Sequence, residues 1–308
     1  MPSPKIPIRC KNRPNVQIVS QAFQPIRTVP PPPPGLHMPA PPIDAPPMID
    51  IRGLYKSFGT RKIFTGLDLH IEKGETHVVI GRSGEGKSVL LKHIIGLMIP
   101  DAGEIRIEGE ILDYRQPKSV EQIRQRVGML FQGAALFDSL NVAENVGFSL
   151  REHLYWDNRR IARRVEECLQ AVNLPGIGSK LPAELSGGMK KRVGLARVLA
   201  SQPQVVLYDE PTTGLDPINS DVINDLIIKM RDEHGVTGVV ITHDIHSAYK
   251  VADRISMFYK GIIIFTGTPE EARRTDNPYV RQFLEGRSHG PVELMPYSHI
   301  ASFSEVVE

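Results

Sequence analysis

The residues best suited to chemistry begin at Gly81-Arg82-Ser83-Gly84-Glu85-Gly86-Lys87-Ser88. They stand between the apolar run His77-Val78-Val79-Ile80 and a helical pattern that opens at Val89. Strand, glycine-rich turn and helix with the spacing G-x-x-x-x-G-K-S form the context of a phosphate-binding loop. Glycines let successive backbone N–H groups point inward, and the helix N-terminus adds partial positive charge. Lys87 offers a mobile cation for the β- and γ-phosphates, and Ser88 a hydroxyl for Mg²⁺.

A carboxylate pair, Asp209-Glu210, ends the apolar run Val205-Val206-Leu207-Tyr208. Alone, such a pair is a common loop start. Downstream of a phosphate loop, and followed by Pro211-Thr212-Thr213-Gly214-Leu215-Asp216-Pro217, it reads as the second half of a nucleotide-hydrolase site. Asp209 then holds Mg²⁺ and Glu210 orients and deprotonates the attacking water. Third, Leu185-Ser186-Gly187-Gly188-Met189-Lys190-Lys191-Arg192 is another glycine turn opening a helix, hence another anion-binding N-terminus. With no evident phosphate of its own, it points to a nucleotide held by another copy.

The elements that must position these groups follow from hydrophobic periodicity. Met48–Leu54 and Gly66–Glu72 alternate and are expected to pair as an antiparallel sheet, with Lys73-Gly74 as a turn. Glu104–Gly109 is a further alternating strand, a short helix ends at Gln125, and Val127–Phe131 reads as buried strand. From Ala134 to Leu185 the chain is expected to be largely helical, with Ile161, Val165, Cys168, Leu169 and Val172 on one face. Val205–Tyr208 and Gly238–Thr242 are apolar throughout, as parallel strands covered on both faces are. Asp221–Arg231 has helical spacing between them. Ile255–Tyr259 and Ile262–Thr266 form a strand pair, and one or two helices run from Pro269 to Leu284.

Residues 1–48 are of another kind, rich in proline and without periodic apolar pattern. They read as an extended or disordered extension, with a transit peptide as the alternative. Residues 49–285 carry the folded domain, its helical part at about 134–185, and 286–308 an irregular tail. The net charge of +2 and an aromatic content of 6% argue against a dominant nucleic-acid surface. Cys10 and Cys168 have no metal-ligand spacing and read as free thiols. No apolar run reaches the length of a membrane span.

Taken together, the three motifs resemble those of the ATP-binding subunits of ABC transporters, over about Ile49 to Leu284. The resemblance implies an α/β fold: a P-loop NTPase core with an antiparallel β subdomain and an inserted α-helical subdomain. It implies a nucleotide site formed by Tyr55 stacking on adenine, by Gly81, Arg82, Ser83, Gly84, Glu85, Gly86, Lys87, Ser88 and Val89, and by Ser186, Gly187, Gly188 and Asp216 facing the opposite subunit. It implies that Glu210, His243, Gln132 and Lys87 serve catalysis, and that Ser88, Gln132 and Asp209 serve the metal, with ATP and Mg²⁺ as cofactors.

The stretch from Phe131 through Val146, with Leu150-Arg151-Glu152-His153, Leu185–Met189 and Ile241–Ile245, is similar to the Mla-type lipid-transport ATPases. That similarity implies a homodimer serving an integral-membrane permease, gripped after Gln132, together with an MCE-domain lipid-binding protein. It implies a peripheral place on the cytoplasmic face of the inner (plasma) membrane, and leaves an organellar one open. Met189 departs from a common glutamine, and Glu85 puts an acid in the phosphate loop, where it is expected to point outward. The rivals are an ABC ATPase for another hydrophobic substrate and a non-transport ABC ATPase acting on nucleic acid. Long coiled coils, zinc modules or a second cassette would favour the latter, and none is visible.

Overall fold

The computed structural model describes residues 46–152 and 156–292. Most of the proline-rich stretch, His153, and the tail beyond residue 292 lie outside the described residues.

The chain opens with a long hairpin, β1 (Ile49–Phe58) and β2 (Arg61–Ile71), paired antiparallel with Ile49 opposite Ile71. β4 (Ala102–Ile107) joins the other edge of β1, and the two-residue β5 (Glu110–Ile111) joins β4. This antiparallel sheet is the expected β subdomain. Both hairpin strands outrun their alternating cores, because pairing continues out to Phe58 opposite Arg61.

The second sheet is built on β3 (Thr76–Ile80), with α1 (Lys87–Ile94) following it. Its other strands are β6 (Val127–Leu130), after helix α2 (Pro117–Arg126), then β7 (Val205–Asp209), β8 (Thr237–Ile241), β9 (Arg254–Tyr259) and β10 (Ile262–Gly267). The order is β10-β9-β3-β8-β7-β6, parallel throughout except for the β9–β10 edge pair. Side chains alternate between two cores. Val79, Val205, Leu207, Val239 and Ile241 face the β subdomain and α1. Val78, Ile80, Val206, Tyr208 and Val240 face the helices on the other side. Burial on both faces is why these strands show no polar alternation.

The helical side holds α3 (Val142–Glu152), α4 (Asn158–Ala171), α5 (Gly187–Ala200) and α6 (Pro217–His234). α4 buries Ile161, Val165, Cys168 and Leu169, the face its spacing predicts. Only part of 134–185 is regular helix: the stretch before α3 is a loop, closed by the buried Asn145 side chain, which donates to the carbonyls of Phe137, Leu140 and Asn141. α6 extends the expected 221–231 helix at both ends. Asp216 caps its start, Pro217 occupies its first position, and Gly235 ends it in the left-handed conformation. α7 (Ile245–Val251), capped by Asp244, was not marked by periodicity because it is only two turns long. α8 (Pro269–Arg274) and α9 (Pro278–Leu284) close the fold.

Candidate functional site

Three parallel strands deliver the site from their C-terminal ends. β3 runs into the phosphate loop, β7 ends at Asp209, and β8 ends just before Thr242-His243. The loop must turn sharply against the β subdomain. Gly86 sits at φ 120°, and a Cβ there would stand 2.4 Å from Ile63 Cγ2, so no side chain fits.

Lys87 is buried, and its Nζ donates to the carbonyls of Gly81 (2.7 Å) and Arg82 (2.8 Å). Burial pushes its ammonium below the ordinary lysine value, against the pull of Glu210, Glu85 and Asp209. Ser83 and Gly84 are exposed, and Arg61 at the β1–β2 turn donates to the Gly84 carbonyl. Val89 sits half-buried on α1, its carbonyl 2.7 Å from His93 Nδ1.

Ser88 Oγ donates to Asp209 Oδ1 at 2.6 Å. Burial raises the Asp209 pKa above the usual aspartate value, the serine bond lowers it, and adjacent Glu210 raises it further. A hydroxyl beside a buried carboxylate whose charge is poorly compensated is a donor set of hard oxygens, and it fits Mg²⁺.

Glu210 is held by its backbone and by its carboxylate. Its φ is 51°, a left-handed conformation unusual for glutamate, and its N–H donates to the Ile241 carbonyl at 2.9 Å. Oε2 accepts from Thr213 Oγ1 at 3.0 Å and lies 2.8 Å from His243 Nδ1. With the carboxylate ionised, that contact places a proton on Nδ1 and leaves the other ring nitrogen of a half-exposed imidazole for a ligand. A glutamate oriented by a histidine and a threonine, beside a buried lysine and a serine–aspartate pair, is equipped to activate water at a phosphate.

Gln132 is exposed on the loop leaving β6, the strand beside β7. That loop is shaped by Ala134 and Ala135, both at positive φ, whose carbonyls accept from Arg197 of α5. Ser186, Gly187, Gly188 and Asp216 form a separate cluster. Ser186 caps α5 by accepting from the Met189 N–H, and Asp216 caps α6 by accepting from the Asn219 N–H at 2.9 Å and Nδ2 at 2.6 Å. The two helix starts touch, since a Cβ on Gly188 would stand 2.9 Å from Asn219 Oδ1. Ser186, Gly187 and Asp216 all face solvent.

Two expectations need correction. Glu85 does not simply point outward: it is half-buried, and its Oε2 is enclosed without a hydrogen-bond partner. Burial raises its pKa, with Arg82, Lys87 and Lys260 pulling the other way. Tyr55 is not a free stacking surface, because its ring lies across Gly66 of β2, where a Cβ would meet the phenolic oxygen at 2.9 Å. The aromatic at the loop is Phe58, 46% exposed and paired with Arg61, the residue that reaches Gly84. Its signal in the sequence was its place before the Gly59 turn, at the true end of β1.

Residues 64–213 match the family described as ABC transporter. The chain is 42% identical over 246 residues to the probable ribonucleotide transport ATP-binding protein mkl of Mycobacterium leprae, covering 80% of this chain and 71% of that one. It is 37% identical over 245 residues to the intermembrane phospholipid transport system ATP-binding protein MlaF of Escherichia coli, covering 80% and 91%. Among solved structures, the ATP-binding cassette MJ0796, a dimer in a post-hydrolysis state bound to ADP and Pi, superposes with a TM-score of 0.67 at 30% identity, covering 72% of this chain and 99% of that one. None of the helices among the described residues is long and apolar enough to cross a membrane.

Proposed function

The chain belongs to the ABC transporter family as an ATP-binding subunit that hydrolyses ATP, and from that premise we propose that it energises the movement of phospholipid between membranes. The likeness to MlaF over nearly the whole of that protein supports the lipid reading. Residues 49–285 are the ATPase domain, with the helical part at about 134–185 presenting the permease-facing surface after Gln132.

The contact that carries the catalytic reading is Glu210 Oε2 held between Thr213 Oγ1 and His243 Nδ1. Glu210 takes the proton of the attacking water, and His243 faces the γ-phosphate. Lys87 exchanges the carbonyls of Gly81 and Arg82 for phosphate oxygens, while the inward N–H groups of the loop from Gly81 to Val89 hold the rest of the anion. Ser88 and Asp209 would hold Mg²⁺, with Gln132 as the third contributor, and the ion would supply neutralisation of the charge on the phosphates. Phe58 takes the place first expected of Tyr55 as the adenine platform.

Ser186 and Gly187 are exposed at a capped helix start, with Gly188 buried just behind them against Asn219, so the donors of this turn are open to a nucleotide on a second copy, and Asp216 lies beside them at the same face. Two copies therefore share two sites. Closing around ATP drives a permease, and an MCE-domain protein carries lipid to or from it. The subunit works at the cytoplasmic face of the membrane as a peripheral protein.

The test uses proteoliposomes holding the permease and this subunit. ATP-dependent transfer of a labelled phospholipid supports the reading. Transport of a ribonucleotide with no lipid transfer, as the name of mkl suggests for that relative, overturns it.

A further inference from the structure

α5 begins at the turn that meets the partner's nucleotide, and one turn further along it carries Lys191. That side chain is buried, only 6% exposed, and points at the segment after β7. Its Nζ donates to three backbone carbonyls of that segment: Glu210 at 3.2 Å, Pro211 at 2.8 Å and Thr213 at 2.6 Å. An ammonium has three donors, and each is matched here to a carbonyl. Neutral dipoles rather than a carboxylate take the charge, and burial pushes the lysine down to about 8, with Glu210 opposing. The chain keeps a costly cation where a smaller polar group would be cheaper to bury.

The segment it binds is one that does not hold its shape by local preference. Glu210 is left-handed at φ 51° and Gly214 at φ 77°. A glutamate in that region persists only where its surroundings enforce it. The same segment supplies Thr213 to the Glu210 carboxylate and runs on to Asp216.

We propose that Lys191 is a positioning residue for hydrolysis: its three carbonyl bonds tie the helix that meets the partner copy's nucleotide to the loop that aims Glu210 at its own. Displacement of α5 on engaging one nucleotide then moves the base at the other. The proposal rests on the reading of Glu210 as base.

The test uses the assembled transporter with Lys191→Met, Lys191→Arg and Glu210→Gln. Lys191→Met is expected to keep KM for ATP within about twofold while kcat falls about 10- to 100-fold, the scale of a misplaced catalytic group. Lys191→Arg recovers part of that loss. In a Glu210→Gln background, Lys191→Met adds no further loss. Wild-type kcat in Lys191→Met overturns the proposal, as does a further fall on the Glu210→Gln background.

Amide hydrogen exchange reads the tie without chemistry. Residues 210–216 should exchange faster in Lys191→Met while α5 is unchanged, and unchanged exchange in 210–216 overturns the tie. Full turnover in Glu210→Gln with fast exchange in Lys191→Met would instead remove the base assignment, and the catalytic half of the proposal with it, while leaving the tie. Should Lys191→Met not fold, Lys191→Gln carries the same measurements.

Discussion

Ser88 Oγ and Asp209 Oδ1 meet at 2.6 Å, joining the start of α1 to the end of β7 across the mouth of the site. Two residues far apart in sequence are brought together because β3 and β7 both flank β8 and run in the same direction. The contact is short, yet the carboxylate remains at odds with its surroundings: burial and Glu210 raise its pKa above the usual aspartate value of 3.8.

Asp209→Asn is therefore expected to stabilise the nucleotide-free protein at neutral pH while abolishing Mg²⁺-dependent hydrolysis. The folded-state pKa lies above the unfolded one, so the ionised carboxylate penalises the fold at pH values above both. As pH falls through the folded value, wild type regains what it lacked, and the advantage of the variant shrinks. Melting curves of both proteins at pH 7.5 and at acidic pH check this, each kcal/mol relieved appearing as about 2–4 °C. A lower melting temperature for the variant at pH 7.5 contradicts the electrostatic account.

Glu85 offers a second pH signature. Its raised pKa and enclosed Oε2 place a reluctant negative charge where phosphates bind. Wild-type affinity for ATP should rise, relative to Glu85→Gln, as pH falls through the elevated value of Glu85 and the charge is lost. At pH 7.5 the variant should bind roughly fivefold tighter, the order expected for removing one like charge at a partly buried site. Fluorescent-nucleotide titrations of the pair across pH decide it, and equal affinity throughout would show that the carboxylate does not face the anion.

Phe58→Ala should weaken ATP binding by about tenfold, the order of one lost base–aromatic stack. Tyr55→Leu should leave binding within about twofold, because the Tyr55 side chain packs over Gly66 rather than against the nucleotide. The reverse ranking in a nucleotide titration would restore Tyr55 as the platform.

The division between these two aromatics shows where the sequence could be read and where it could not. Ile80, Gly86, Lys87 and Ser88 were legible because strand, turn and helix follow one another within a few residues. Asp209 and Glu210 were legible because a strand buried on both faces is apolar to its end. Phe58, proposed here as the platform, was missed because the last residues of β1 are ordered by pairing with β2, a tertiary fact beyond the alternating core. Glu85 was misjudged for a similar reason: what encloses its Oε2 is packing that local pattern does not state. Lys191 was invisible as anything but one basic residue in a row, since its three carbonyl partners lie on another loop.

The central claim is that Glu210 removes the proton in a site completed only by a second copy. The measurement is light scattering with turnover on Glu210→Gln, with and without MgATP. The expected result is a monomer that becomes a stable ATP-bound dimer and hydrolyses almost nothing, and that loses the dimer when Ser186→Arg is added. A variant that turns over at the wild-type rate, or one that saturates with ATP and stays monomeric, contradicts it.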